Sequence, residues 1–164
     1  MRYTDFVSTQ YEDLQANLQA RRERAAEAQD QVDTLTTKTA AEGGAIISSW
    51  LVRAYGLVVS KVLPPGPFGV DCRILEDTGQ RSTSALLLIT MPGLTLPTWR
   101  QFSDAAALAW KSHVDSVALA TGWGVDEDQI NQAEQEGVKL WGAHALEVIY
   151  QNIEHETPGV SIFS

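Results

Sequence analysis

The residue in this chain best suited to nucleophilic chemistry is Cys72, the only cysteine. A reactive thiol needs a nearby base and a lowered pKa. Cys72 instead lies in VDCRILED, whose alternation is typical of a β-strand, where single cysteines are usually buried. We therefore expect an inert core thiol. A single cysteine also forms no intrachain disulfide, which favours a reducing, intracellular setting.

Metal and cofactor chemistry is weakly supported. His144 and Glu147 are three residues apart and would share a helix face, but no second pair of this kind completes a metal site. The acidic run DEDQINQAEQE lacks the central glycine of a calcium loop, and GPFG and TGWG lack the spacing and lysine of a phosphate-binding loop. The sequence thus predicts a surface His–Glu contact, no metal ion and no cofactor. An enzyme site assembled from scattered residues would have Cys72, His144 and Glu147 as its best candidates, and paired carboxylates of an acidic chain could also act as acid and base, although no pair is marked by the sequence.

The formal net charge of −9 is distributed unevenly along the chain. Residues 1–42 carry five basic and eight acidic side chains, residues 43–100 five and three, and residues 101–164 two and ten. Nucleic-acid binding needs clustered Lys and Arg, so this charge pattern disfavours it. The acidic last third could instead face a basic partner, through a surface made of Asp126, Glu127, Asp128, Glu134, Glu136 and Trp123.

A long N-terminal helix is the clearest element, because residues 4–38 contain neither Gly nor Pro. Apolar residues recur in a seven-residue frame, as they do in helices that pack along one narrow face. We call this set the heptad stripe: Tyr11, Leu14, Leu18, Ala25, Ala28, Val32 and Leu35. Arg21 interrupts it. Two interpretations follow, a coiled coil with a second copy or a helix lying along its own domain. The paired glycines predict that this helix ends between Ala40 and Gly44.

The middle of the chain combines an apolar run with a hairpin pattern. The stretch from Ala45 to Leu63 approaches membrane-spanning length, but Arg53 and several serines favour a buried element of a soluble domain. Its β-branched end, GLVVSKVL, could equally be a strand, and of the two we favour a helix that ends by Val62. The segments VDCRILED and STSALLLIT, joined by TGQR, predict two strands and a tight turn. The preceding LPPGPFG is typical of a rigid corner rather than a recognition motif.

Two amphipathic helices are predicted in the last third. Thr98 and Gln101 form a capping-box pattern, followed by a helix that buries residues from Phe102 to Ala118. Asp126 caps the second helix, whose apolar face continues to Ile149. We expect three tryptophans to belong to the core: Trp50, Trp110 and Trp141.

These elements predict a mostly helical α+β fold, in which a long N-terminal helix is followed by a β-hairpin packed on two to three amphipathic helices. The expected organisation is a helix over residues 1–42 and a compact α+β domain over residues 43–164.

The first functional hypothesis is a non-enzymatic assembly or adaptor protein that self-associates through the heptad stripe. One form of it is a subunit of a larger particle, such as a phage structural component. The second is an acidic binding protein or inhibitor that uses its C-terminal helices against a basic partner. In either case the expected partner is protein, not nucleic acid or membrane. The first residues resemble neither a signal nor a transit peptide, so we expect a cytoplasmic location or one within an assembled particle.

Overall fold

The structure is a computed structural model that describes residues 3–64, 66, 68–77, 85–91 and 98–155, with the backbone alone for 3–9 and 154–155. The elements in chain order are α1 (Tyr3–Leu35), α2 (Ala40–Tyr55), β1 (Leu57–Leu63), β2 (Asp71–Asp77), β3 (Ala85–Thr90), α3 (Trp99–Lys111), β4 (Ser116–Ala120), α4 (Glu127–Gln135), β5 (Lys139–Trp141) and α5 (Ala143–His155). The predicted α+β class is confirmed.

The strands in the described part of the chain form one mixed sheet in the order β1-β2-β3-β4-β5. Strands β1, β2 and β3 pair antiparallel, whereas β3, β4 and β5 are parallel. At one end of the sheet Thr90 is therefore flanked by Asp71 of β2 and Ala120 of β4. The central strand β3 is buried along its whole length, as its unbroken apolar run indicates.

Two hydrophobic cores lie on opposite faces of the sheet. One contains Val32 and Leu35 of α1 together with apolar residues of α2 and α5, including Leu51 and Leu146. The other packs Phe102 of α3 and apolar residues of α4 against β2, β3 and β4. Burying one large aliphatic or aromatic side chain contributes roughly 1.5–3 kcal/mol, so these two layers supply most of the driving force for folding.

The paired glycines begin a helix rather than end one, so the expected end of α1 between Ala40 and Gly44 is wrong. Helix α1 stops at Leu35, and Thr39 starts α2 by a reciprocal capping box with Glu42, whose backbone N–H donates to the Thr39 hydroxyl at 3.2 Å. A Cβ on Gly44 would overlap the Asp71 carboxylate and approach Thr90 Oγ1 to 3.0 Å. Glycine is therefore required for α2 to lie this close to the sheet. The boundary drawn at residue 42 falls in the first turn of α2.

The helix expected to continue to Val62 also ends earlier. Helix α2 stops at Tyr55, because Gly56 takes the left-handed conformation (φ 73°), and the β-branched residues that follow form β1. In β2, Cys72 and Ile74 face one core and Leu75 the other, as the alternation predicts.

Each long helix predicted in the last third is divided by a strand. Helix α3 ends at Lys111 and is followed by β4, so Val117 and Ala118 lie on a buried strand and not on a helix face. Helix α4 begins after the Asp126 cap, as expected, but Gly137 (φ 79°) ends it before β5, and α5 is a separate helix. Trp50 is buried and Trp141 partly buried as predicted, whereas Trp110 is 84% exposed, contrary to expectation.

The LPPGPFG segment connects β1 to β2. Gly69 has a positive φ of 61° and donates its N–H to the carbonyl of Gly66 at 3.2 Å, as in a tight turn. Pro65, Pro67 and the predicted hairpin tip, TGQR, lie outside the described residues. Among the helices that are described, none has the length and apolar character needed to cross a membrane.

Candidate interaction surfaces

The heptad stripe of α1 has two parts with different surroundings. Ala28, Val32 and Leu35 are 0%, 0% and 6% exposed, and we call them the buried half. Tyr11, Leu14 and Leu18 are 61%, 56% and 43% exposed, and we call them the exposed half. Ala25, between them, is exposed. The buried half is therefore already packed inside its own domain, and only the remainder of the predicted assembly surface is accessible.

Helix α5 covers the buried half by running antiparallel to α1. Leu146 and Ile149 share a core with Val32 and Leu35, whereas the later residue Tyr150 donates its hydroxyl hydrogen to Glu27 Oε1 at 2.8 Å. The ring of Tyr150 also packs edge-to-face on Trp50 at 5.2 Å between ring centroids. The end of α1 is thus fixed by apolar packing and a hydrogen bond to α5.

A groove lies between α1 and α5. It has a volume of about 380 Å³ and is lined by Arg21, Arg24 and Ala25 of α1 and by Gln151 of α5. Beyond it, towards the N-terminus, the apolar residues of the exposed half follow one another on the helix. The Tyr11 hydroxyl in this half accepts a hydrogen bond from Gln15 Nε2 at 3.0 Å, which orients the ring along the helix surface.

The predicted acidic surface lies on and beside α4. Asp126 uses its carboxylate to cap α4, accepting from the backbone N–H of Gln129 at 2.8 Å, and Glu136 accepts from the Ser103 hydroxyl at 3.2 Å. The other members of the predicted set that project into solvent are Glu127, Asp128 and Glu134, together with Trp123, which is 41% exposed. The structure therefore gathers these residues in one region, with an aromatic side chain at its edge.

The residues considered for catalysis are not brought together. Cys72 is fully buried in the core beneath α3 and α4, and this burial, with a smaller contribution from the charge of Asp71, raises the pKa of its thiol to about 11. His144 and Glu147 lie on α5, across the sheet, and form a surface contact of 3.9 Å in which the His144 side chain is 93% exposed. No group of three or more His, Cys, Asp or Glu side chains in the described ranges could hold a metal ion.

Sequence reasoning missed a partly buried ion pair beside the start of α2. Asp71 Oδ2 accepts from Arg73 Nε at 2.7 Å, and both side chains are mostly buried. Asp71 also lines a cavity of about 440 Å³ whose other walls come from α2, Leu63 and Val70. The neighbouring Thr90 Oγ1 is buried and has no hydrogen-bond partner among the described residues. No motif marks this arrangement, since the pairing of β2 with β3 is what brings Asp71 beside Thr90.

A second feature that the sequence did not reveal is the outer face of α3. Trp99 and Trp110 are 65% and 84% exposed, and their spacing of three helical turns places both on one side of the helix. Exposed tryptophans are common anchors in protein interfaces. Amphipathic periodicity had assigned Trp110 to the core because the predicted helix was too long.

Comparison with known proteins does not extend this description. No protein-family model matches the chain, and no curated protein has a significantly similar sequence.

Proposed function

We propose that this chain is a non-enzymatic assembly or adaptor protein that associates with a second copy of itself through the exposed half of its heptad stripe. The observation that carries the proposal is the exposure of Tyr11, Leu14 and Leu18 on one face of a helix that is otherwise polar there. Large apolar side chains that recur on one helix face normally pack against a partner.

A second copy is the favoured partner because the exposed half continues a packing surface that already binds a helix. The buried half of the same stripe packs on α5. Leu18, Leu14 and Tyr11 continue the same seven-residue spacing. This spacing keeps apolar residues on the side of α1 that would face a second helix. A second α1 supplies such a helix with the same apolar spacing. The role belongs in the cytoplasm or within an assembled particle, of which a phage structural component is one example.

The test is the solution mass of the full chain by light scattering over a range of concentrations. We expect a concentration-dependent dimer for the native chain and a folded monomer for Leu14→Glu combined with Leu18→Glu, because four carboxylates would then face one another in the seam. The matched control is Ala16→Glu combined with Ala20→Glu, which adds the same charge on the opposite side of α1 and should leave the dimer intact.

Two results would contradict the proposal. One is a native chain that stays monomeric at the highest concentration. The other is a dimer whose mass the seam variant leaves unchanged while its circular dichroism shows a native fold.

The alternative function is an acidic binding protein or inhibitor. It is supported by the exposure of Trp123 beside Glu127 and Asp128 at the start of α4. Binding of a basic polypeptide such as polylysine at this surface should weaken steeply as salt is added, whereas an apolar helix pair should not. Replacement of Glu127 and Asp128 by Gln and Asn should reduce that binding, and an unchanged affinity would argue against this function.

A further inference from the structure

We infer that the two copies of α1 pair antiparallel, in a register that places Leu14 of one copy against Leu18 of the other and Tyr11 against Arg21. This inference rests on the proposed self-association and adds the orientation, the register and a role for Arg21. It follows from the order of residues in the seam and from their charges.

The seam positions alternate between two classes along the helix. Tyr11 and Leu18 occupy one class, and Leu14 and Arg21 occupy the other. In an antiparallel pair each layer joins one class to the other, whereas in a parallel pair each layer joins identical residues. Antiparallel pairing around the level of Ala16 therefore gives two leucine layers in the centre and a tyrosine–arginine layer at each end.

Arg21 decides between the two orientations. In a parallel pair its guanidinium would face a second Arg21 in the seam, which is an unfavourable contact of like charges. In the antiparallel pair each guanidinium lies against the ring of the partner's tyrosine, a favourable cation–π geometry. Arg21 and Tyr11 are both exposed in the single chain and accessible for this contact. Arg21, which interrupts the apolar stripe, thus pairs with Tyr11 of the other copy at each end of the dimer interface.

The groove beside Ala25 accommodates the end of the partner helix. In the proposed register, position 7 of the second copy lies opposite Ala25. The groove there has a volume of about 380 Å³ and is lined on its other side by Gln151 of α5. Ala28 marks the limit of pairing, since it is fully buried in its own domain. The exposed part of α1 therefore ends just beyond Ala25, where the proposed pairing also ends.

The experiment is disulfide trapping in chains that carry Cys72→Ala, so that each contains one introduced thiol. Leu14→Cys alone, Leu18→Cys alone and an equimolar mixture of the two are oxidised with copper–phenanthroline in air. We expect a crosslinked dimer mainly in the mixture, joining position 14 to position 18. Crosslinking in the single variants at least as strong as in the mixture would show parallel pairing and overturn the inference, as would no crosslinking in any sample.

A second variant tests the role of Arg21. Arg21→Glu should weaken dimerisation by about tenfold, because it removes the cation from the tyrosine face and places a carboxylate there. Arg53→Glu, on an exposed position of α2, is the control with the same charge change and should have little effect. Equal effects of the two variants would contradict the specific Tyr11–Arg21 layer.

If the native chain proves monomeric, the proposed function fails. If it is dimeric but crosslinks 14 to 14, only this register fails.

Discussion

The two halves of the heptad stripe carry similar residues at the same spacing, yet only one is covered. Val32 and Leu35 pack in the core beneath α2 and α5, while Leu14 and Leu18 face solvent. Among the described residues, α5 contacts α1 at Val32, Leu35 and Glu27, and its Gln151 lines the groove beside Ala25. One helix thus contributes to folding with its end and leaves the same kind of surface exposed at its beginning.

This comparison separates stability from association. A residue in the buried half should alter the free energy of unfolding, because its side chain leaves water when the domain folds. A residue in the exposed half leaves water only when a partner binds, so it should alter the dimerisation equilibrium instead. Substitutions in the two halves should therefore have different effects.

The largest effect is expected from truncating matched leucines in the two halves. Leu35→Ala should lower the free energy of unfolding by about 3 kcal/mol, because it leaves a cavity in the core. Leu18→Ala should change it by less than about 0.5 kcal/mol when measured on the monomer, since the site is exposed. Urea denaturation at low protein concentration measures both. Equal losses would show that the exposed half is packed within the domain after all.

An effect of intermediate size concerns the core on the other face of the sheet, which α1 does not enter. Burial raises the pKa of the Cys72 thiol from its ordinary value of 9.0 to about 11. Between these two pH values the unfolded chain releases the thiol proton while the folded chain keeps it, so ionisation stabilises the unfolded state. The free energy of unfolding should therefore fall by about 2 kcal/mol from pH 9 to pH 11, and this group should have no effect below pH 9.

The control for this pH dependence is Cys72→Ala, which lacks the thiol. Its unfolding free energy should decline less over the same range, and the difference between the two slopes measures the buried thiol. Identical slopes would mean that Cys72 is not held in a low-dielectric interior. Dimerisation through the exposed half below pH 9 should be the same in both proteins.

The smallest effect is expected at Gly44, where α2 approaches the sheet. Alanine there gains up to about 1 kcal/mol of helix propensity, but its Cβ overlaps the Asp71 carboxylate, and such overpacking costs typically 1–3 kcal/mol. We expect a net loss of about 1 kcal/mol in thermal or urea unfolding, with dimerisation retained. Gly124→Ala, whose Cβ would meet no atom within 4 Å, should be nearly neutral. A stabilised Gly44→Ala variant would show that α2 shifts freely.

Much of the fold could be predicted from local patterns, and the failures have a common cause. The long helix α1, the strands β2 and β3 and the Asp126 cap follow from composition, alternation and capping residues. Strands β4 and β5 were missed because SVALA and KLW are short apolar runs without alternation, and they continue the helical spacing of their neighbours. The helices before these strands, α3 and α4, end just before residues with a positive φ, His113 and Gly137, which the spacing of apolar residues does not indicate.

The candidate surface was predicted in its residues but not in its extent. The heptad spacing identifies Tyr11 and Leu35 equally, and no local signal shows that α5 covers the second and not the first. That difference depends on the sheet order and on where α5 packs, both of which are tertiary properties. The exposure of Trp110 was missed because the predicted helix ran on to Ala118, whereas α3 ends at Lys111.

The most direct test of the central claim is hydrogen–deuterium exchange of the native chain at several protein concentrations. We expect amides in residues 28–35 to be protected at every concentration, because this segment is packed in the folded monomer. Amides in residues 11–21 should exchange rapidly in dilute solution and become protected as the concentration rises and the second α1 binds. Exchange of residues 11–21 that does not depend on concentration would contradict self-association through the exposed half.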